Sequence, residues 1–559
     1  MTDVQTTVSG LIDDFAGDSA DVAWLLCDRH PGGAVAFTVI GEGEGQSGPS
    51  VRDITYDELR ELSERSARAL AELGVGPGDR VATLMGKGVD LVAVLVGVWR
   101  LGAVYVPLFT AFGPQAIAAR LTNSGAKVVV TDAGQRAKLL PGPDMPEQRS
   151  WTTVVAGGGA VGGEHDLAAL QRSAASASLP SRPQGGTRPL VHMFTSGTTG
   201  APKGVIHPVA HVAVWQSYLE HALHVTADDV YWCAADPGWA YGLYAGIIAP
   251  LAAGRRSVLV TGNFQPDTAW TVLTRLGVTN FTAAPTAYRA LRASSGPPAD
   301  VRLRCASSAG EPLTPEVSEW AQRALGVRVR DHFGQTELGM PLADAWHPDL
   351  SGPAKQSSMG RALPGWRLTV LDPVEGTPVG EGVQGRIAVD VAHSPLMTFT
   401  GYQGAGDAAE KFTPDRAHYL TGDLGRVDGD GDFFFASRDD DVILMAGYRI
   451  GPFDIESVLL QHPQVAECAA IGVPDEARGE VLEVYVVPRS GTTANTTGFA
   501  EELQQWVKQR YAAHAYPRAV HFTDALPKTP SGKIQRNVLR RQRTAAEQAT
   551  QDRDMKAGT

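Results

Sequence analysis

One pattern of apolar and polar positions recurs along the chain. An amphipathic run ends in Leu-Gly and is followed at once by a short apolar segment, with the glycine at Gly74, Gly102, Gly277 and Gly326. Glycine just past a periodic segment predicts a left-handed helix C-cap, and the short apolar run after it predicts a buried strand. The repeated order of helix, glycine and strand predicts βα units, largely parallel sheets and therefore an α/β fold.

The pattern changes from about Asp440 onward, where isolated strands alternate with helical runs. Pro452 lies near a predicted helix start, and residues 480–487 and 518–523 are predicted strands. This pattern predicts a small α+β domain of ordinary size, followed by a frayed C-terminal end of the chain. The expected division is a large N-terminal domain over 1–438, a C-terminal domain over 439–542 and a flexible tail over 543–559.

Composition and charge exclude some classes of protein. The 559 residues carry 49 Lys+Arg and 61 Asp+Glu, a formal net charge of −12, which argues against a nucleic-acid partner. The four cysteines are scattered singly, which predicts free thiols in a reducing compartment. Because no basic leader and no run of about 18 apolar residues stands out, we expect a cytoplasmic protein with no membrane span.

Two segments imitate ligand-binding motifs. Residues 43–48 fit GxGxxG, but Pro49 and a strand-like segment follow where a dinucleotide site needs a helix, so we expect a hairpin loop. Residues 428–432 resemble the start of a calcium loop, but Phe433 stands where that loop requires glycine. A turn between two strands is therefore predicted there.

The strongest chemical signal is residues 195–204, TSGTTGAPKG, which follow the apolar run 190–194. Small hydroxyl residues and glycines leave backbone N–H groups unobstructed, and Lys203 adds a mobile positive charge. Together these features suit a polyphosphate. The segment lacks the GK[ST] ending of a Walker A loop, and taken alone it also fits a flexible turn.

This segment resembles the phosphate loop of the adenylate-forming superfamily, which contains acyl-CoA synthetases, carrier-protein adenylation domains and luciferases. The chain is most similar to its medium-chain and acetyl-CoA synthetase branch. The resemblance implies a large domain of packed α/β sheets and a smaller, mobile α+β lid that turns about Asp440. Further segments match the superfamily in order along the chain: 310–312, 333–337, 419–423, 438–440, 447–451 and 527–533.

The resemblance also implies a reaction. An ATP-dependent acid:CoA ligase joins a carboxylic acid to AMP with release of pyrophosphate, and the thiol of CoA then displaces AMP. Mg²⁺ is the implied cofactor, and ATP and CoA are the implied co-substrates. Such a catalyst holds two anions together and screens their repulsion. Two alternatives stay open, an adenylating enzyme that loads a carrier protein or an amine, and a catalytically silent nucleotide-binding relative.

Residue roles follow from the matched segments. Lys533 is expected to neutralise the charge that develops between carboxylate and α-phosphate, and Glu337 to hold Mg²⁺. Without the resemblance, Lys533 fits a helix entry with a basic flank. Thr195 completes the expected catalytic set.

Asp423 is expected to accept hydrogen bonds from both ribose hydroxyls. Phe333 is expected to pack on adenine, with residues 310–312 as the other wall. The expected ATP and AMP contacts are Thr195, Ser196, Gly197, Thr198, Thr199, Gly200, Lys203, Gly310, Glu311, Pro312, Asp331, His332, Phe333, Gly334, Gln335, Thr336, Asp423, Arg438, Arg449 and Lys533.

The implied acid pocket contains Trp239, Ala240, Tyr241 and Gly334. In acetyl-CoA synthetases a tryptophan directly before Gln-Thr-Glu closes the acyl pocket, and this chain has Gly334 there. Space for extra methylenes, each worth about 0.8 kcal/mol when buried, predicts a short-to-medium-chain acid longer than acetate. A lysine acetyltransferase acting on Lys533 is a further expected partner, since acetylation removes the charge. The implied CoA contacts are Ala446, Gly447, Tyr448, Arg478, Ala515, Tyr516 and Pro517.

Overall fold

The protein was analysed as a computed structural model. It describes residues 2–41, 49–173, 179, 182–195, 202–403, 408–445, 448–475, 479–489, 496–512, 515–529 and 533–557. The strands are β1 (Val35–Gly41), β2 (Ser50–Thr55), β3 (Arg80–Leu84), β4 (Val104–Pro107), β5 (Ala126–Asp132), β6 (Thr152–Ala156), β7 (His165–Asp166), β8 (Pro189–Thr195), β9 (Lys203–Pro208), β10 (Tyr231–Cys233), β11 (Ser257–Val260), β12 (Asn280–Ala283), β13 (Cys305–Ala309), β14 (Val329–Gln335), β15 (Gly339–Ala343), β16 (Arg361–Ala362), β17 (Leu368–Leu371), β18 (Gly385–Asp390), β19 (Tyr402–Gln403), β20 (His418–Val427), β21 (Phe433–Arg438), β22 (Ile443–Met445), β23 (Tyr448–Ile450), β24 (Val465–Asp475), β25 (Gly479–Pro488) and β26 (Ala519–Phe522).

The helices begin, in several cases, at a proline that occupies the first helical position, where its missing N–H is not needed. They are α1 (Thr2–Ala16), α2 (Tyr56–Glu72), α3 (Val89–Arg100), α4 (Pro114–Ser124), α5 (Leu167–Ser173), α6 (His211–Ser217), α7 (Ala240–Leu243), α8 (Ala249–Ala253), α9 (Pro266–Arg275), α10 (Pro285–Ala293), α11 (Pro315–Leu325), α12 (Pro452–Leu459), α13 (Thr496–Arg510) and α14 (Arg536–Ala557). Short π-helices lie at Trp24–Asp28, Tyr218–Ala222 and Tyr244–Ile248, and short 3₁₀ helices at Arg136–Leu139 and Ala408–Lys411.

Two large sheets with parallel centres form the N-terminal part, as the βα pattern predicts. The strand orders are β16-β15-β14-β13-β12-β10-β11-β1-β2 and β19-β9-β8-β4-β3-β5-β6-β7. The glycines after the four predicted helices have φ between +61° and +79°, the left-handed C-cap conformation. The largest apolar cluster contains residues of both sheets, with Trp99, Tyr105 and Trp215 among its buried members.

A third, antiparallel sheet of order β17-β18-β20-β21 follows along the chain. Residues 428–432 form the turn between β20 and β21, so the predicted turn is confirmed. The Lys355 Nζ lies 2.6 Å from Asp428 and 2.7 Å from Asp430, so an ammonium group neutralises these carboxylates. Residues 43–48 lie outside the described residues, but β1 and β2 on either side of them pair antiparallel.

The C-terminal part has its own sheet, of order β23-β22-β25-β24 with β26 beside β25. Pro452 is the first residue of α12, and the predicted strands at 480–487 and 518–523 coincide with β25 and β26. The flexible tail expected over 543–559 stays a prediction, although most of this segment is helical. Helix α14 continues to Ala557, and Arg543 Nε contacts Glu483 Oε2 at 2.8 Å. Alanine, glutamine and glutamate after residue 543 favour this continuation.

The connection between the two parts is short, since β21 ends at Arg438 and β22 begins at Ile443. The Asp440 carboxylate lies 3.4 Å from Arg438 Nε, on the N-terminal side. The next residue, Asp441, contacts Arg540 at 2.5 Å in α14. Two adjacent carboxylates are therefore bound to different parts of the molecule.

No helix among the described residues is both long enough and apolar enough to serve as a membrane span.

Helices α2 and α3 approach closely at Gly97, where an added Cβ would lie 2.9 Å from both the Ser63 carbonyl oxygen and the Ser66 Cβ. We expect Gly97→Ala to destabilise the protein by roughly 1–3 kcal/mol because the helices must move apart. Gly10→Ala in α1 is the matched control, since nothing lies within 4 Å of the added Cβ. That change should stabilise by up to about 1 kcal/mol. Thermal unfolding of both variants checks this, and a Gly97→Ala protein as stable as wild type would contradict it.

Candidate active site

Asp423, the predicted ribose ligand, accepts a hydrogen bond on each of its two carboxylate oxygens. Arg438 Nη1 on the paired strand β21 lies 3.1 Å from Oδ1, and Gln335 Nε2 donates to Oδ2 at 2.6 Å. Gly422 has φ +78°, and an added Cβ there would lie 3.2 Å from Arg438 Nη2, so the close approach of the guanidinium favours glycine. Burial raises the pKa of Asp423, while Arg438 and Lys533 act to lower it.

Glu337 follows β14 and is 8% exposed. The Tyr402 hydroxyl donates to its Oε1 at 2.6 Å, and within the described residues no group bonds its Oε2. Burial raises the pKa of Tyr402, so the phenol keeps the proton that it donates. A carboxylate with one available oxygen fits Mg²⁺, which binds through one or two carboxylates together with phosphates and water. The described residues contain no cluster of three or more His, Cys, Asp or Glu that could hold a metal by themselves.

Thr195 and Lys203 bracket the predicted phosphate loop. Thr195 ends β8, Lys203 begins β9, and the two residues pair across the antiparallel strands. Lys203 Nζ lies 2.8 Å from Glu410 Oε1 and 5.0 Å from the centre of the Tyr402 ring. Ser196, Gly197, Thr198, Thr199 and Gly200 lie outside the described residues.

The predicted adenine wall begins at Gly310, directly after β13, with φ +94°. A Cβ at this position would lie 3.2 Å from the Trp239 indole, so that ring packs against the glycine backbone. Glu311 accepts a hydrogen bond from Arg289 Nη2 at 2.8 Å, and Pro312 is exposed. The structure therefore places the expected adenine wall beside the expected acid pocket.

Strand β14 supplies further predicted ATP and AMP contacts. His332 Nδ1 lies 2.7 Å from the Tyr218 hydroxyl, and burial lowers the pKa of His332 to about 3, so the ring is neutral. Asp331 is buried, which raises the pKa of its carboxyl well above the usual value. Phe333 is half-buried and packs against the cluster that contains Leu342, which leaves part of the ring exposed.

The sequence Gln335-Thr336 continues this strand into the site. Gln335 Nε2 also donates to the Thr421 carbonyl at 2.7 Å, and the Tyr419 hydroxyl donates to Gln335 Oε1 at 3.2 Å. The Thr336 carbonyl bonds His207 Nε2 at 2.7 Å. The motif is therefore fixed by side chains from distant parts of the sequence.

In the predicted acid pocket, Tyr241 is held at its hydroxyl, 2.8 Å from the Tyr218 hydroxyl and 2.7 Å from Thr282 Oγ1. Trp239 is the N-cap of α7 and Ala240 its first residue, 8% exposed. The chain of hydroxyls continues to His332 through Tyr218, so the acid pocket and the adenine strand share one buried polar network.

Gly334 does not leave the space that the sequence predicts. A Cβ on this residue would overlap the carbonyl oxygen of Gly339 and approach the Met340 sulfur. The cause is the register shift between Phe333 and Gln335 in the β14–β15 pair, which brings the β15 backbone against Gly334. The expectation that a missing indole opens the pocket here was wrong.

Lys533 belongs to the C-terminal part, and carboxylates of the N-terminal part act on it electrostatically. Glu311, Asp423 and Glu337 act electrostatically to raise its pKa, although desolvation dominates and lowers the pKa below the usual value for lysine. Lys533 is nevertheless exposed to solvent. Its backbone N–H donates to Thr529 Oγ1 at 3.0 Å, which fixes the loop.

The predicted CoA residues are placed only in part. Ala446, Gly447 and Arg478 lie outside the described residues, and Tyr448 and Arg449 are described only as backbone in β23. Ala515 is fully buried, so its side chain packs inside the C-terminal part, and its role as a CoA contact stays a prediction. The Tyr516 ring lies under Arg518, 3.9 Å from the guanidinium carbon, and the Pro517 carbonyl accepts from Gln504.

The sequence reasoning missed Tyr402, Glu410 and Tyr419 as contacts of the site residues. Tyr402 lies 65 residues from Glu337, and Glu410 lies 207 residues from Lys203. No local pattern marks such pairs, because the side chains meet only when separate strands come together.

The comparisons with known proteins agree with this geometry. Residues 27–402 match the family model for AMP-binding enzyme, and residues 454–533 match the AMP-binding enzyme C-terminal domain. The chain is 37% identical over 497 residues to an acetyl-coenzyme A synthetase of Bacillus subtilis (strain 168), covering 87% of this chain and 84% of that protein.

Solved structures are also similar. The crystal structure of a Brucella canis acyl-CoA synthetase has 39% identity and a TM-score of 0.72, with 98% of this chain and 99% of that chain covered. A benzoate CoA ligase from Burkholderia xenovorans LB400 has 28% identity and a TM-score of 0.80, with 93% and 99% covered. The chain therefore belongs to the AMP-binding, adenylate-forming enzyme family. Within that family it is an AMP-forming acyl-CoA synthetase.

Gln335 holds one oxygen of Asp423, so we expect Gln335→Ala to weaken AMP binding about tenfold, the scale of one hydrogen bond to a charged group. Isothermal titration with AMP measures this. Gln322→Ala is the matched control, because that exposed amide donates to the Gly326 carbonyl at 3.3 Å and to no other group in the described part of the chain. Equal AMP affinity in both variants would show that Asp423 needs no such support.

Proposed function

We propose that the protein is an ATP-dependent acid:CoA ligase that works in two steps. A carboxylate attacks the α-phosphate of ATP to give an acyl-adenylate and pyrophosphate. The thiol of CoA then attacks the acyl carbon, which gives the thioester and AMP. The observation that carries the proposal is the buried Asp423 carboxylate, which Arg438 and Gln335 hold and on which Lys533 of the C-terminal part acts electrostatically.

In the first step each of these residues would have a separate role. Asp423 would accept hydrogen bonds from the ribose hydroxyls, with Arg438 and Gln335 holding it in place. Lys203 and Thr195 would bind the phosphates, and Glu337 would hold Mg²⁺. When bound, Mg²⁺ supplies positive charge that shields the phosphate oxygens. Lys533 would neutralise the charge shared by the two reacting anions.

The second step requires the C-terminal part, residues 439–542, to act as a lid that turns about Asp440. The contacts on either side of this residue support the proposal. Asp440 is bound to Arg438 on one side, whereas Asp441 is bound to Arg536 and Arg540 in α14 on the other. Rotation would withdraw Lys533 and bring Tyr448, Tyr516 and Pro517 toward the CoA path, together with Gly447 and Arg478.

We propose a short-to-medium-chain acid longer than acetate as the substrate. The similarity of the chain to a benzoate CoA ligase, whose acid is larger than acetate, supports this in place of the reasoning from Gly334. Tyr241 would form the floor of the pocket, because its hydroxyl is held by Tyr218 and Thr282. We place the enzyme in the cytoplasm, where the four buried free cysteines suit a reducing environment.

A pyrophosphate-release assay over straight-chain acids from acetate to octanoate, with and without CoA, tests the function. We expect sustained turnover only with CoA, and kcat/KM should rise beyond acetate because each buried methylene adds roughly 0.8 kcal/mol. Pyrophosphate exchange without a CoA product would favour carrier-protein or amine loading. ATP binding without any exchange would identify a silent relative.

Replacing Lys533 should separate the two steps. We expect Lys533→Ala to slow acyl-adenylate formation by roughly 10²-fold or more and to spare thioester formation from synthetic acyl-adenylate. Lys528→Ala is the matched control, since this lysine pairs at 2.7 Å with Glu467. Acetylation of Lys533 by an acetyltransferase should act like the alanine variant. Equal loss of both steps in Lys533→Ala would argue against a lid with two positions.

A further inference from the structure

Tyr402 lies between two groups that serve the phosphate end of the site. Its strand β19 pairs with β9, the strand that begins at Lys203, with Tyr402 opposite Val205. The hydroxyl donates to Glu337 Oε1 at 2.6 Å, and the ring centre is 5.0 Å from Lys203 Nζ. One side chain thus contacts both the carboxylate proposed for Mg²⁺ and the lysine proposed for phosphate.

The ring of Tyr402 is itself fixed by packing. The Phe399 ring lies 5.1 Å from it at a steep angle, and Phe399 packs in turn on Tyr419 and Phe412. Because the backbone is held by β9 and the ring by this aromatic group, the hydroxyl has a defined position. A hydrogen bond from a fixed donor to a buried carboxylate restricts the orientation of the carboxylate.

The second contact of Lys203 is of a different kind. Glu410 pairs with Lys203 at 2.8 Å, but the Glu410 side chain is 66% exposed. Exposed ion pairs contribute little to stability, so Lys203 can leave Glu410 for a phosphate at small cost. Glu337, by contrast, is buried, and its bond to Tyr402 is sheltered from water.

We propose that Tyr402 is a positioning residue for the metal–nucleotide complex. Its hydroxyl holds Glu337 Oε1, so that Oε2 is available to Mg²⁺, and its ring supports the ammonium group of Lys203 beside the phosphates. Tyr402 acts through these two residues and touches no reacting atom. The inference rests on the proposed role of Glu337 but requires neither the acid nor CoA.

The test is the effect of Mg²⁺ on ATP affinity, measured by isothermal titration of the full-length protein with ATP in MgCl₂ and in EDTA. We expect Tyr402→Phe, which keeps the ring, to reduce the gain in ATP affinity that Mg²⁺ provides by about tenfold, the effect of losing one charge-assisted hydrogen bond. The affinity in EDTA should stay within about twofold of wild type.

Tyr511→Phe is the matched control. The Tyr511 hydroxyl also donates to a carboxylate, Asp454 Oδ2 at 3.2 Å, but in the C-terminal part. This variant should keep the full Mg²⁺ effect. A double-mutant cycle adds a second measurement: if Tyr402 acts through Glu337, Tyr402→Phe should change nothing further in a Glu337→Gln background.

An unchanged Mg²⁺ effect in Tyr402→Phe would overturn the proposal, as would an equal loss of ATP affinity in MgCl₂ and in EDTA, or full additivity in the cycle. Thermal unfolding midpoints of all variants establish that the ATP affinities compared are those of folded proteins. Since only ATP and Mg²⁺ are used, the outcome is separate from the proposed function. If the Tyr402 variants behave as expected but the protein activates no acid, only the proposed ligase function is contradicted, and the role of Tyr402 stands.

Discussion

The repulsion between anions is the constraint on which the rest of the site depends. The chain brings the carboxylates of Glu337 and Asp423 into a cleft that must also receive ATP and an acid. Each carboxylate is therefore partnered within the protein, Asp423 by Arg438 and Gln335 and Glu337 by Tyr402. Lys533 adds positive charge from the C-terminal part, in a position where both carboxylates act on it.

Two tyrosines that are 17 residues apart in sequence support these groups. They are Tyr402 and Tyr419, and their hydroxyls reach Glu337 and Gln335. Both rings pack on the Phe399 ring and need no water to hold their positions. A rigid apolar layer thus carries the polar groups that orient the motif at the end of β14.

Arg438 connects the nucleotide site with the connection between the two parts of the molecule. Its guanidinium contacts Asp423 at 3.1 Å and Asp440 at 3.4 Å, so one cation serves both carboxylates. Ribose hydroxyls bound at Asp423, as proposed, would compete with Arg438 and Gln335 for its carboxylate oxygens. Under the proposed function, nucleotide bound at Asp423 would alter the contacts of Arg438 and therefore also its contact with Asp440.

The amino-acid sequence by itself determined the alternation of helices and strands, because that pattern is local. Gly74 and Gly326 mark helix ends, Pro452 marks a helix start, and the order of the motifs from 195–204 to 527–533 indicates the family. It also singled out Asp423, Glu337 and Lys533, since residue type and motif position suffice to name them.

Only the tertiary structure decided how those residues are held and what space surrounds them. The partners of Glu337 and Lys203 lie 65 and 207 residues away in sequence, and nothing local connects them. Gly334 was misjudged for the same reason, because the β15 backbone that fills its space is placed by a register shift between strands. Side-chain identity is a local property of the chain, whereas contact and free volume depend on how distant strands pack.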